Sequence, residues 1–352
     1  GTQPLYDPDQ YWTGVALSAF GIVYNRDVVK QLGLPEPRTF DDLTDARYGG
    51  WIALADPRQS GSIATSLDSI LSNAGWEHGW RILREMCANT RYFTNASTKP
   101  PIDVSAGEAA AGLAIDFYGR GQSQAVALPG ETPQTSRVGY VDPVGSVYID
   151  ADPVSILRGG PHPELAKRFI EFCLTEEGQA LWQFHARDSA AGRDNPVGAD
   201  GDRMGPREYE LRRAPIRRVM YQEYLRYFVD QSDPFSLASE VAPKGWRSAI
   251  GVMMGAFSID IADEQRSAWR ALNRARQDPA FPKNTLAEME RLFYAWPETR
   301  MPDGTVLPFT AENCKAIMAA WKKPGMMPET KIAYTRFFSS NYSKIVELSK
   351  GR

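Results

Sequence analysis

Along the first half of the chain, short apolar runs alternate with clusters of glycine, proline and polar residues. The run Ala19-Phe20-Gly21-Ile22-Val23-Tyr24 predicts a strand, and Asn25-Arg26-Asp27 opens a short helix that stops near Gly33. Thr39 then stands as an N-cap with an acid three residues on. Trp51-Ile52-Ala53-Leu54-Ala55 has the continuous apolar character of a buried strand. It breaks at Asp56-Pro57 and leads through Ser60-Gly61-Ser62 into a helix over 63–73, with Ile63, Leu67, Ile70 and Leu71 on one face. A helix over 76–89 carries Trp76, Trp80, Leu83 and Cys87 at spacings of three and four. Next come a short helix over 103–110 and the apolar run from Leu113 to Tyr118, which ends at Gly119. Val138-Gly139-Tyr140 and Val147-Tyr148-Ile149 are further strands. An amphipathic helix over 163–174 turns Leu165, Phe169, Ile170 and Cys173 inwards, and Thr175 caps another over 176–186. Strands alternating with helices indicate an α/β architecture.

From about residue 188 the texture changes. A polar, glycine-rich stretch runs from Asp188 to Gly205, and an arginine-rich segment follows (Arg207, Arg212, Arg213, Arg217, Arg218). Helical patterns then dominate to the C-terminus, with Trp246, Trp269, Trp296 and Trp321 as core residues and Met326-Met327 beside Pro324 as a turn. Charge supports the division. Residues 1–200 hold 16 basic and 25 acidic side chains, for −9, whereas 201–352 hold 24 and 18, for +6. The sum is −3, which argues against a nucleic-acid partner.

The 352 residues suffice for two domains, and 43% hydrophobic with 24% charged residues is the balance of a folded chain. The longest apolar run, Ala249 to Phe257, is about half of what a membrane-spanning helix needs. The first ten residues lack the basic and apolar regions of a signal peptide, so a cytoplasmic protein or a mature or trimmed chain is expected. Three distant cysteines (Cys87, Cys173, Cys314) imply no disulfide framework, and His78, His162 and His185 do not cluster as metal ligands.

No GxGxxG, P-loop, GxSxG or HExxH motif is present. Two local features carry chemistry. Ser60-Gly61-Ser62, after a buried strand and before a helix, offers hydroxyls and free N–H groups to an anion, although an ordinary N-cap uses the same residues. Asp116, at the end of an apolar strand, either faces a cleft or caps the next turn. The arginines at 207–218 could contact a phosphate or an acidic partner, or form a solvated helix face paired with Glu208 and Glu210.

The segment from Asp152-Pro153-Val154-Ser155 through Gly159-Gly160-Pro161-His162-Pro163 to Glu171-Phe172, followed by Leu174-Thr175-Glu176-Glu177-Gly178-Gln179, resembles a known family. It is similar to the substrate-binding proteins of ABC importers with the type 2 periplasmic binding fold, in the ferric-iron and phosphorylated-solute branch. Three more matches lie in order: Phe20 to Asn25, the Asp56-Pro57…Ser60-Gly61-Ser62 turn, and Val104 to Ala110 before Asp116-Phe117-Tyr118-Gly119. Together they span about residues 11–185.

The resemblance implies a two-lobed α/β fold that closes on a solute at its hinge. Residues 1–24 with 138–189 would be the remainder of lobe 1, its N-terminal part missing, and 25–137 lobe 2. A mainly helical extension fills 190–352. It also implies a non-enzymatic, periplasmic or extracellular protein, in some members membrane-anchored, that hands its solute to an ABC permease. Carried over, Ser60, Gly61, Ser62 and Asn95 would bind the ligand's anionic group, with Asp116 and Tyr118 across the cleft. No cofactor is implied, and Fe³⁺ would enter as ligand.

Two departures refine this. Members that hold bare Fe³⁺ use two adjacent tyrosines, whereas Phe117-Tyr118 offers one phenol, so iron would need Tyr118 together with a synergistic anion. Sugar-phosphate binders carry an acid where this chain has Val144 in Pro143-Val144-Gly145-Ser146. A phosphate-bearing organic, phosphonate or oxyanion is the expected solute. A second alternative is a partner-binding protein with a vestigial cleft.

Overall fold

The computed structural model describes residues 1–351. Strand β1 (Thr13–Asn25) leads into α1 (Arg26–Gln31), where the Asn25 side chain accepts from the N–H groups of Asp27 and Val28. Strand β2 (Ile52–Ala55) precedes helices α2 (Gly61–Ala74) and α3 (Trp76–Ala88). Then follow β3 (Thr90–Thr94), α4 (Lys99–Ser105), β4 (Ala111–Ile115), α5 (Asp116–Ala125) and β5 (Val138–Val141). Strand β6 (Ile149–Val154) is followed by helices α6 (Pro163–Cys173) and α7 (Glu176–Gln183). The remainder holds β7 (Ala214–Pro215), the short α8 (Arg218–Glu223) and α9 (Pro234–Leu237), and longer helices α10 (Arg247–Phe257), α11 (Ala262–Gln277) and α12 (Lys283–Tyr294). A hairpin of β8 (Glu298–Arg300) and β9 (Val306–Pro308) precedes α13 (Ala311–Ala320) and α14 (Met326–Leu348).

Strand β1 organises the molecule, because it serves two sheets. Its second half lies in the order β3-β2-β4-β1-β5, with β2 parallel to β3 and β4 and β1 antiparallel to β4 and β5. Its first half pairs antiparallel with β6 and β7. The exchange of partners falls between Ala19, opposite Ile149, and Phe20, opposite Ile115. This is the two-lobed α/β layout that the resemblance implies.

Strand β2 reads as continuously apolar because both its faces are covered. Ile52 and Leu54 enter the main core, whereas Ala53 packs with Val23, Val104 and Ala114 on the opposite face. Helix α3 is buried nearly all round, since the C-terminal helices pack on the side that β2 leaves open. Helix α10 lies on α2, α11 lies on α3, and α14 runs along α10, α11 and α12. Trp76, Trp80, Phe257, Trp296, Phe309 and Phe338 meet in ring contacts between 5.0 and 6.4 Å, so the extension shares one core with the sheet layer.

Several expectations are corrected. Helix α6 forms, but none of its residues is buried: Leu165 is 64% and Phe169 60% exposed, because no element of the described chain covers that face. The helix expected over 103–110 begins earlier, at Lys99 with two prolines in its first turn, and ends at Ser105 so that Ala111 can enter β4. Strand β4 ends at Ile115, and Asp116, Phe117 and Tyr118 begin α5. Thr39 caps nothing through its side chain; the carboxylate of Asp42 instead accepts from the Arg38 and Thr39 N–H groups. Met326 and Met327 open α14 and do not form a turn. The arginines at 207–213 are not a helix face, since that stretch is irregular and leads into β7.

Candidate functional site at the sheet edge

Because β2, β3 and β4 run parallel, their C-terminal ends meet at one edge, where open α/β sheets bind ligands. The Asp56 N–H donates to Thr94 O at 2.8 Å, which sets the turn after β2 beside the turn after β3. All six predicted residues leave from these strand ends, although they do so in different states.

Asp56 holds Arg58 at 2.7 Å, and Arg58 reaches on to Asp260 at 2.9 Å, so an ion-pair chain to the extension fixes the turn before α2. Ser60 is buried, and its Oγ accepts from the Ile63 N–H at 3.4 Å as the N-cap. Gly61 is exposed, and a side chain there would meet nothing within 4 Å; Ser62 is half-buried. The hydroxyl of Ser60 is therefore engaged in capping, whereas the first turn of α2 at Gly61 and Ser62 opens outwards. Asn95 is exposed one residue beyond β3.

Asp116 is turned inwards. Its carboxylate accepts from the Phe117 N–H at 2.8 Å and from the Ala19 N–H, and faces Arg120 at 3.5 Å. Burial pushes its pKa up to about 7, with Arg120 opposing that rise and Asp142 adding to it. Arg120 also pairs with Asp142 at 2.7 Å, and Tyr140 Oη donates to Asp142 Oδ1 at 2.7 Å. Asp116 thus ties the start of α5 to the point where β1 changes sheets. Tyr118 is half-buried, and its ring lies 4.3 Å from that of Phe117.

Two arginines outside the six predicted residues belong to the same edge. Arg247, the first residue of α10, donates to Gly61 O at 3.1 Å. Its charge also acts on Asp68 and Asp150, whose carboxyl pKa values burial raises, with Arg247 opposing the rise. Arg213 stacks on the Phe117 ring at 3.8 Å and pairs with Asp152 of β6, which also accepts from Ser18 Oγ at 3.0 Å. Arg213 belonged to a run that the sequence marked as cationic; Arg247 carried no local signal, because only the fold brings α10 to α2.

A cleft of about 880 Å³ lies elsewhere, between Tyr24, Glu36, Arg120, Tyr140, Arg212 and Ser232, and none of the six predicted residues lines it. Most of its charges are paired: Arg26 with Glu36, Arg120 with Asp142 and Arg212 with Asp230. Among the described residues no group of three or more His, Cys, Asp and Glu could hold a metal ion, and no helix is long and apolar enough to cross a membrane.

Strand β1 is thus shared between two sheets, and the turns after β2, β3 and β4 gather at one edge. The chain belongs to the bacterial extracellular solute-binding protein family, whose pattern matches residues 2–201. It is 27% identical over 180 residues to an uncharacterized protein of Haemophilus influenzae, covering 51% of this chain and 49% of that protein. It is 22% identical over 276 residues to the phosphoglycerate transport regulatory protein PgtC of Salmonella typhimurium, covering 73% and 65%. Among solved structures, the periplasmic binding protein AfuA of Actinobacillus pleuropneumoniae, with fructose-6-phosphate bound, aligns with 24% identity over 51% of this chain and 53% of that one, at a TM-score of 0.43. The chain thus spans between about half and two thirds of the length of these curated relatives.

Proposed function

We propose that the protein is the solute-binding component of an ABC importer. It captures a small anion, a phosphate-bearing organic or phosphonate, between lobe 1 (1–24 with 138–189) and lobe 2 (25–137), and passes it to a membrane permease. The observation that carries this reading is the convergence of the Gly61-Ser62 turn, Asn95 and Tyr118 on one strand-end edge, with Arg247 held against that turn. Free N–H groups at the start of α2 and a guanidinium beside them suit an anion's oxygens. The name of PgtC, which concerns phosphoglycerate transport, points the same way. Ser60 shapes the turn through its cap, and Asp116 positions α5 from beneath.

The test is native mass spectrometry of the purified protein with metal analysis, followed by calorimetric titration with 3-phosphoglycerate, inorganic phosphate and Fe³⁺. Binding of a phosphate-bearing anion without metal is expected, with Ser62→Ala and Arg247→Ala each weakening it roughly tenfold. Stoichiometric iron, lost in Tyr118→Phe, would replace this reading with a ferric one. An anion affinity untouched by both variants would remove the sheet edge as the site.

A further inference from the structure

Helix α11 carries four arginines, and the fold engages only two of them with acids. From Gln265 to Gln277 it holds Arg266, Arg270, Arg274 and Arg276 and no acid, since Asp263 and Glu264 stand in its first turn. Arg266 pairs with Asp263 at 2.6 Å and donates to the carbonyl oxygens of Thr90 and Arg91 at 3.1 and 3.0 Å. Arg276 pairs with Glu290 at 3.0 Å and donates to the Tyr294 hydroxyl at 3.1 Å. Arg270 and Arg274 are exposed, and among the described residues no carboxylate pairs with either. Arg270 reaches the Ser267 hydroxyl at 3.4 Å, and Arg274 Nε donates to the Arg270 carbonyl oxygen at 3.3 Å. Like charges one turn apart weaken a helix. The macrodipole suits Arg274, in the last turn, but not Arg270, about two turns before the end.

The surroundings leave room for a ligand. Both arginines line a hollow of about 490 Å³ between α11, the turn at 46–50 and the end of α3, within the size range of small-molecule sites. Arg47 and Arg266 line it too, and among the described residues no acid does. Apart from Arg47, the wall away from α11 is Ala46, Gly49, Gly50 and Ala88, so nothing longer than a methyl group fills it, and a Cβ at Gly50 would meet nothing within 4 Å. The same two arginines also line a second hollow of about 450 Å³, to which Lys350 adds a cation. Its one acid among the described residues, Asp278, accepts from the Ala280 N–H at 2.9 Å. Arg270 and Arg274 thus form a solvent-exposed cationic pair with open space beside it, and no interaction within the fold accounts for Arg270.

We propose that Arg270 and Arg274 are the core of a second anion site, separate from the sheet edge, for a soluble polyanion that bears two adjacent phosphate groups. Each guanidinium would grip one phosphate through paired N–H groups, and the two side chains leave the helix about 6 Å apart along its axis. Inorganic pyrophosphate is the probe and orthophosphate its control, titrated by calorimetry. The titration is run on the wild type and again in Arg247→Ala, so that heat from the sheet edge is told apart. Pyrophosphate binds roughly tenfold or more tightly than orthophosphate, and the site persists in Arg247→Ala. Arg270→Ala and Arg274→Ala each weaken it roughly tenfold. Both positions are exposed, so these variants fold as the wild type does. Arg300→Ala, which removes an exposed charge from β8, leaves the affinity unchanged. No pyrophosphate binding, equal affinity for the two anions, or an affinity untouched in Arg270→Ala and Arg274→Ala overturns the proposal. A loss in Arg300→Ala as large as in those two overturns it as well, because net charge alone would then be at work.

Discussion

Asp116 shows how a side chain's position can be legible in the sequence while its partners are not. Its position at the end of an apolar run marks it as a residue with a duty, because an ionised carboxyl there is costly unless it is paired. The duty, however, depends on Ala19 in β1 and on Arg120 one turn along α5, which the carboxylate faces. Its pKa, raised to about 7, has a thermodynamic consequence. A carboxyl that is harder to ionise in the folded state than in the unfolded chain contributes most below its ordinary pKa. That contribution is lost as the pH rises through about 7. Asp116→Asn should therefore match the wild type in melting temperature near pH 4. It should exceed the wild type near pH 8 by on the order of a few degrees. A constant difference across that range, followed by calorimetry, would mean that Arg120 compensates the carboxylate fully.

At the scale of elements, helices α3 and α6 read alike in sequence and behave oppositely. Both space their apolar residues by three and four, and both form where that spacing places them. Periodicity reports which face is apolar; it does not report what lies opposite. For α3 the far side is also covered, by helices more than 170 residues away in sequence, so Arg84 and Glu85 are buried although no pattern marks them. For α6 no residue of the apolar face is buried by the rest of the described chain. The strands were more legible, because a four-residue apolar run such as β2 must be covered on both faces wherever it lies. The contrast is measurable by denaturant unfolding. Phe169→Ser should change stability by less than about 0.5 kcal/mol, as at an exposed position. Phe257→Ala, in the aromatic core, should cost about 3–5 kcal/mol. A large cost at Phe169 would show that α6 is covered in solution.

At the scale of the whole molecule, the segment from Glu210 to Pro215 links the two sheets. Glu210 accepts from the Ala186 N–H at 3.0 Å, next to α7, and from Gln124 of α5 at 3.1 Å. Arg212 pairs with Asp230 through two nitrogens and donates to Arg120 O. Arg213 spans from Asp152 to Phe117, and β7 adds two residues to the first half of β1. The backbone at Arg212 is left-handed, with φ 55°, a conformation that costs a non-glycine residue about 1–3 kcal/mol and persists only where its surroundings impose it. The two arginines should then separate stability from hinge behaviour. Arg212 is 2% and Asp230 11% exposed at the side chain, so Arg212→Ala leaves a largely buried carboxylate unpaired and should cost about 3–5 kcal/mol. The Arg213–Asp152 pair is 29% and 38% exposed, so Arg213→Ala should cost less than about 1 kcal/mol. Its loss nevertheless removes a side chain that touches both β6 and the start of α5, so amide exchange should quicken in β6 and at Phe117 while the aromatic core stays protected. Equal destabilisation by the two variants, or unchanged exchange in Arg213→Ala, would show that β1 alone sets how the lobes are held.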